Sequence, residues 1–292
     1  MLGAVIGDLS AQWDTPGGYP IIGRPPLERA KRLLERDRAE LGLSLVSLAA
    51  AKSIIECGGN WAKLGVCYLA HLRACLGARP DSPFGNAFRN WLLDGKIKPR
   101  NSFDIEAVMG ALPCALIAGT EIEAIRLALK VAKKTHSCPD VLKGAEAYAV
   151  VTFMAKDGAT LGEIKDRVQR DYYKLDFDVF DELSPFGLWH DDSPSPSGGT
   201  LVQLAIKAFV GSRSFEGAIL DALRNICPDP EASILAVMVG GMAEAYYGIP
   251  ELTKIGIRTR LDQDTRSVRA KWEAMCRKKS QPKQFGFLTR AC

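Results

Sequence analysis

Apolar positions along this 292-residue chain recur with a helical period, and no stretch alternates convincingly with period two. Residues 2–10 are small and apolar. Residues 41–55 form a strong apolar run stopped by Gly58-Gly59. The spacing of Leu64, Cys67, Tyr68 and Leu72 predicts one stripe of a helix over 61–75. Residues 84–93 and 106–118 read as further helices. The pattern over 121–134 predicts an amphipathic helix with Ile122, Ile125, Leu129 and Ala132 inward. A helix over 139–155 opens on Pro139. Thr160 with Glu163 three residues later is a capping box for a helix reaching about Tyr172. Helices are also predicted over 200–210, 214–225 and 234–248, and a last one from about 250 to 277. Residues 15–26, 96–103 and 184–199 read as loops, the first and last rich in Pro and Gly.

The stretch 234–248 carries Ala236, Gly240, Gly241, Ala243 and Ala245. Side chains this small let neighbouring backbones approach closely, which places the helix in the middle of an all-helical core. The fold expected is one all-α domain over 1–280, with a C-terminal tail over 281–292.

Hydrophobic residues at 47% and charged residues at 25% suit a soluble globular chain with a sizeable core. No apolar run is long enough for a membrane span. The net charge of +4 is mild, so no specific nucleic-acid partner is called for. Its basic excess gathers beyond Arg258, as on a solvated helix face and tail. The eight cysteines form no C-x-x-C pair and lie largely in apolar helical runs. That pattern suits reduced thiols. With no charged-then-apolar segment at the start, the expected location is the cytoplasm, with export by a signal-less route left open.

Candidate chemistry is sparse. Asp8 follows an apolar run and is either a buried site acid or a cap on a neighbouring helix. Asp104 and Glu106 are either an acid pair or charges at a helix start. Asp229 and Glu231 have the same two readings. His136 is either a ligand-facing imidazole or an ordinary helix C-terminal residue. Cys138 near His136 hints at a nucleophile but lacks a third group to orient it. His190, Asp191 and Asp192 fit a solvated loop better than a metal site. Ser197, Gly198 and Gly199 either present amides to a ligand or lead into a helix.

Several motifs, in order, resemble those of the ADP-ribosylglycohydrolase family. They are the opening LGAVIGD of residues 2–8; Phe84-Gly85, Phe88-Arg89, Trp91-Leu92 and Asn101-Ser102-Phe103; THSCPDVLKG over 135–144; and AEAYYGIP over 243–250. The resemblance implies an all-helical fold and a cleft binding ADP-ribose beside two magnesium ions. Asn101, Ser102 and His136 are then expected to face a ligand, beside the Ser197, Gly198 and Gly199 amides offered by the residues themselves. At the motifs that hold the metals and the diphosphate, this chain departs from the family. A T-D-D-T motif is replaced by Leu41, Gly42, Leu43 and Ser44. In place of G-G-D-x-D-T stand residues 229–234, with Glu231 and Ser233 for the aspartates and Ile234 for the threonine. G-N-G-x-A-M-R becomes residues 104–110, keeping Met109 alone. Where a further carboxylate is expected stands Thr15, next to Asp14.

Leucine and isoleucine cannot ligate magnesium, which takes oxygen ligands in near-octahedral array. The expectation is therefore a family member without its di-metal centre, with no metal or other cofactor. It would bind a protein partner or a nucleotide-like ligand such as ADP-ribose. The alternative is a hydrolase of glycosidic bonds to ADP-ribose or a related nucleoside, with Asp8, Asp14, Asp104, Glu106, Glu231 and His136 supplying acid and base. A third possibility is an effector or inhibitor using the fold as a rigid surface.

Overall fold

The computed structural model describes residues 1–11, 41–79, 84, 86–94, 98–176, 198–224, 230–258 and 261–280. The predicted loop at 15–26, most of that at 184–199, and the tail at 281–292 lie outside them. Among the described residues the chain is all-α, with one isolated bridge between Arg100 and His136. In chain order the helices are α1 (Leu2–Ala11), α2 (Ser44–Cys57), a 3-10 turn (Trp61–Lys63), α3 (Leu64–Gly77), α4 (Asn86–Leu93), α5 (Glu106–Met109) and α6 (Ala111–Ile117). They continue as α7 (Glu121–Thr135), α8 (Pro139–Asp157), α9 (Leu161–Asp171), α10 (Gly198–Val210), α11 (Phe215–Arg224), α12 (Pro230–Tyr247), α13 (Glu251–Arg258) and α14 (Gln263–Ser280). No helix among the described residues is long and apolar enough to cross a membrane.

The small-residue helix α12 is central, packed by α1, α8, α10 and α11. Its contact with α1 is backbone against backbone. A Cβ on Gly7 would lie 1.9 Å from the Ala236 carbonyl oxygen, and one on Gly3 would lie 2.1 Å from that of Gly240. A Cβ on Gly240 would in turn meet the Gly3 carbonyl at 2.2 Å. On another side of α12, Tyr148 donates to the Met238 carbonyl at 3.1 Å.

The start and stop signals act locally as the residues suggest. Gly58, at φ 54°, closes α2 by donating to the Ile54 carbonyl at 3.2 Å. Thr160 and Glu163 form the capping box of α9. Three predicted elements differ. The run 106–118 is two helices meeting at Gly110, not one. Pro113 has no N–H to give the Met109 carbonyl and its ring crowds that position. Ser47 on α2 supplies the missing donor, its hydroxyl bonding the Met109 oxygen at 2.7 Å. A side chain at Gly110 would also collide with Val131 at 2.8 Å.

The buried face of α7 consists of Ala124, Leu127, Ala128, Val131, Ala132 and Thr135, while Ile122 is 61% exposed. The face that meets α6 and α8 mixes small alanines with Leu127 and Val131, while Ile125 and Leu129 are only partly buried. The predicted last helix is two. Asp262 ends the connection and caps α14, accepting from the Thr265 amide at 2.9 Å and the Thr265 hydroxyl at 2.6 Å.

Candidate functional site

The segment before α5 is tied to the end of α7. The Arg100 amide donates to the Thr135 carbonyl at 2.8 Å, and the Ser137 amide donates to the Arg100 carbonyl at 2.8 Å. Arg100, Asp104 and Glu106 are thereby brought up to His136, with Ser102 on the same segment. Asp104, Glu106 and His136 each offer a ligand atom within 4.8 Å of the other two. His136 Nε2 lies 4.0 Å from Glu106 Oε2. The His136 ring stacks on Phe88 with centroids 6.1 Å apart, and the Arg100 guanidinium lies 5.7 Å from the Phe88 centroid.

His136 is fully buried and the Glu106 side chain is 9% exposed, while Asp104 is half-exposed. The proton on His136 can be placed. The Thr135 hydroxyl donates to the Ala132 carbonyl at 3.1 Å, so it can only accept from His136 Nδ1, 3.0 Å away. The lone pair is then on Nε2 and faces Glu106. Burial holds the His136 imidazole down to about 4, with the Asp104 charge opposing and Arg100 adding to the shift. It is neutral at neutral pH. Burial pushes the Glu106 carboxyl up to about 7, against a hydrogen bond from its own backbone, with Asp104 raising and Arg100 lowering it further.

Four polar atoms here are buried without a hydrogen-bond partner among the described residues: Arg100 Nη1, Ser102 Oγ, Glu106 Oε2 and His136 Nε2. Arg100 Nη1 does lie 2.7 Å from Asp104 Oδ2. That pair is an ion contact in which the carboxylate lies off the N–H direction, so charge is compensated without a hydrogen bond. Buried polar groups are nearly always satisfied. A concentration of exceptions at one place marks a spot prepared for something polar.

The other predicted residues are dispersed. Asp8 is buried and caps α2, accepting from the Gly42 amide at 2.9 Å, the Ser44 amide at 3.0 Å and the Ser44 hydroxyl. This is the capping role open to it from the sequence. Asn101 is exposed on the segment that leads to Ser102. Gly198 and Gly199 open α10, and the Gly199 amide donates to Asp140 at 3.2 Å, so that amide is engaged within the protein. Glu231 lies in the first turn of α12, its side chain outside the described residues. Asp14, Ser197 and the 190–192 run lie outside the described residues altogether. Leu41 and Leu43 are buried in the core, and Ile234 packs against it.

The sequence offers Asp104 and Glu106 as a possible acid pair and sets them with His136 among six acid/base candidates; the structure brings these three together and not the other described ones. Arg100, Thr135 and Phe88 were missed as parts of the site. The four-residue spacing of Arg100 and Asp104 is the one local signal that could have drawn Arg100 in.

The family profile described as ADP-ribosylglycohydrolase matches residues 38–279. Among solved structures, the chain is similar to one titled "ADP-ribosylglycohydrolase-related protein complex", with a TM-score of 0.62 and 20% identity. The match covers 94% of this chain and 95% of that one, and at this identity it shows a shared fold. No curated protein matches the chain.

Proposed function

The chain belongs to the ADP-ribosylglycohydrolase family, and from that premise we propose that it has set aside two-magnesium hydrolysis and acts by binding. The observation that carries this reading is the entrance to α2. Where the resemblance places an acid pair stand Gly42, which has no side chain to ligate, and Leu43, buried in the apolar core with Leu41 beside it. The hydroxyl of Ser44 and the nearby carboxylate of Asp8 are spent on each other and on the helix cap. A pair of magnesium ions needs several carboxylates, and these side chains do not fit it.

Of the two kinds of binding, the unpartnered atoms of Ser102, Glu106 and His136 support a small polar ligand of the nucleotide kind. The acids Asp104 and Glu106 disfavour its diphosphate and leave the ribose and base as the parts gripped. A protein partner is the reading that remains if no such ligand binds. Calorimetric titration of ADP-ribose, with adenosine in parallel and with and without Mg²⁺, is the test. Binding that is indifferent to Mg²⁺, without release of ADP-ribose from a modified protein, is the expected result. Mg²⁺-dependent release would sink the reading.

One observation favours the enzyme alternative. Asp104, Glu106 and His136 meet in space, as an acid/base site without a di-metal centre requires. Mg²⁺-independent release that disappears in Glu106→Gln would select it.

A further inference from the structure

We propose that Asp104, Glu106 and His136 form a site for one divalent transition-metal ion, Zn²⁺ or Mn²⁺. None of the three stands where the resemblance places the family's magnesium ligands. The inference draws on the same unpartnered atoms of Glu106 and His136 as the polar-ligand reading, but its test reads metal alone and is decided without any nucleotide.

The geometry of the histidine is the first argument. A metal-ligating imidazole almost always gives its other N–H to a fixed acceptor, which sets the tautomer and holds the ring. His136 does this through Nδ1 and the Thr135 hydroxyl, itself anchored to the Ala132 carbonyl. Stacking on Phe88 holds the ring plane. The free lone pair on Nε2 therefore has a fixed direction, and Glu106 Oε2 lies 4.0 Å from that nitrogen.

Second, both atoms are more than nine-tenths buried and neither has a hydrogen-bond partner among the described residues. A lone pair facing a carboxylate oxygen at 4.0 Å is too far for a direct hydrogen bond. An electrophile between them satisfies both. Asp104 closes the third side, and its contact with Arg100 orients it as outer partners orient ligating carboxylates. The half-exposed side of Asp104 leaves an approach for water or a ligand to the remaining coordination positions.

Third, the donor set selects the ion. One imidazole and two carboxylates suit borderline first-row metals, and three protein ligands with open positions is the pattern of exchangeable zinc sites. Magnesium, which prefers oxygen throughout, is disfavoured. Tetrahedral bonds of about 2.0–2.2 Å place ligand atoms roughly 3.4 Å apart. The 4.0 Å separation has to shorten by a few tenths of an ångström on each side, and the Asp104 oxygen, within 4.8 Å of the other two, has to approach by up to about 1.4 Å through rotation of its half-exposed side chain.

The test uses the full chain stripped of metal. Co²⁺ is the optical probe, followed by calorimetry with Zn²⁺, Mn²⁺ and Mg²⁺. The expected result is one bound equivalent of Co²⁺ without sulfur-to-cobalt charge transfer. Zn²⁺ and Mn²⁺ should compete for it, and Mg²⁺ should not. Asp104→Asn and Glu106→Gln should each weaken binding by about tenfold or more. The charge-transfer readout matters because Cys67 lies beside Glu56 and His71 and offers zinc a competing thiol. Sulfur ligation, binding unchanged by both substitutions, or no binding of Zn²⁺ and Mn²⁺ would each overturn the proposal. If Glu106→Gln fails to fold, the half-exposed Asp104→Asn decides alone.

Discussion

A single hydroxyl decides how the chain passes from α5 to α6. Pro113 leaves the Met109 carbonyl without its helical donor, and Ser47, sixty-two positions earlier, restores one. Losing one partner of a buried pair costs the desolvation of the other, about 1–3 kcal/mol. Ser47→Ala is therefore expected to lower stability by that amount, read as a lower urea midpoint with an unchanged slope. A midpoint equal to the wild type would mean the carbonyl is satisfied some other way. The same pair shows what a sequence conceals at this scale. Thr160 and Glu163 are three residues apart, so their box can be read directly. Ser47 and Met109 have no such signature, and neither do Arg100 and Thr135. His136 and Glu106 are individually visible, but the hydrogen bonds that bring them together run between segments thirty-five residues apart.

Among the elements, each difference from the sequence pattern has its own physical cause. Periodicity reports which face of a helix is apolar but not how closely a neighbour approaches. In α7 the buried positions are Ala124, Leu127, Ala128, Val131 and Ala132, and Ile122, one position off that face, is left in solvent. For α13 and α14, an unbroken helical pattern hid the cap at Asp262. That cap has a pH consequence. Partial burial pushes the Asp262 pKa up, but hydrogen bonds from the Thr265 hydroxyl and amide, with the charge of Arg79, hold it below the usual aspartate value overall. A folded-state pKa below the unfolded value contributes stability above the unfolded pKa, which is lost as pH falls through the folded one. Below about pH 4 the start of α14 should loosen, seen as faster amide exchange in its first turns. Asp262→Asn, which keeps the shape without the titrating charge, should flatten that dependence. An identical acid profile in both proteins would show that the cap is not responsible.

Over the whole molecule, the all-helical architecture and the central place of α12 were legible, because small residues at 236–245 have few other uses in so apolar a run. The seam itself is testable. Gly7→Ala drives a Cβ into the Ala236 backbone and is expected to cost on the order of 3 kcal/mol. Gly77→Ala, at the end of α3, meets nothing within 4 Å. It should be neutral or stabilise by up to about 1 kcal/mol. Melting temperatures of the two variants should thus move in opposite directions or differ widely, and equal losses would contradict a backbone-to-backbone seam.

That seam also sets a clock. α1 finds its partner α12 only after more than two hundred further residues have been joined, since α1 ends at Ala11 and α12 starts at Pro230. At about 5–20 residues per second of synthesis, the wait is roughly 10 to 50 seconds. During that interval the apolar surface of α1 has no native cover from α12. Whatever shields α1 at the ribosome is therefore as much a condition of reaching this fold as any contact inside it.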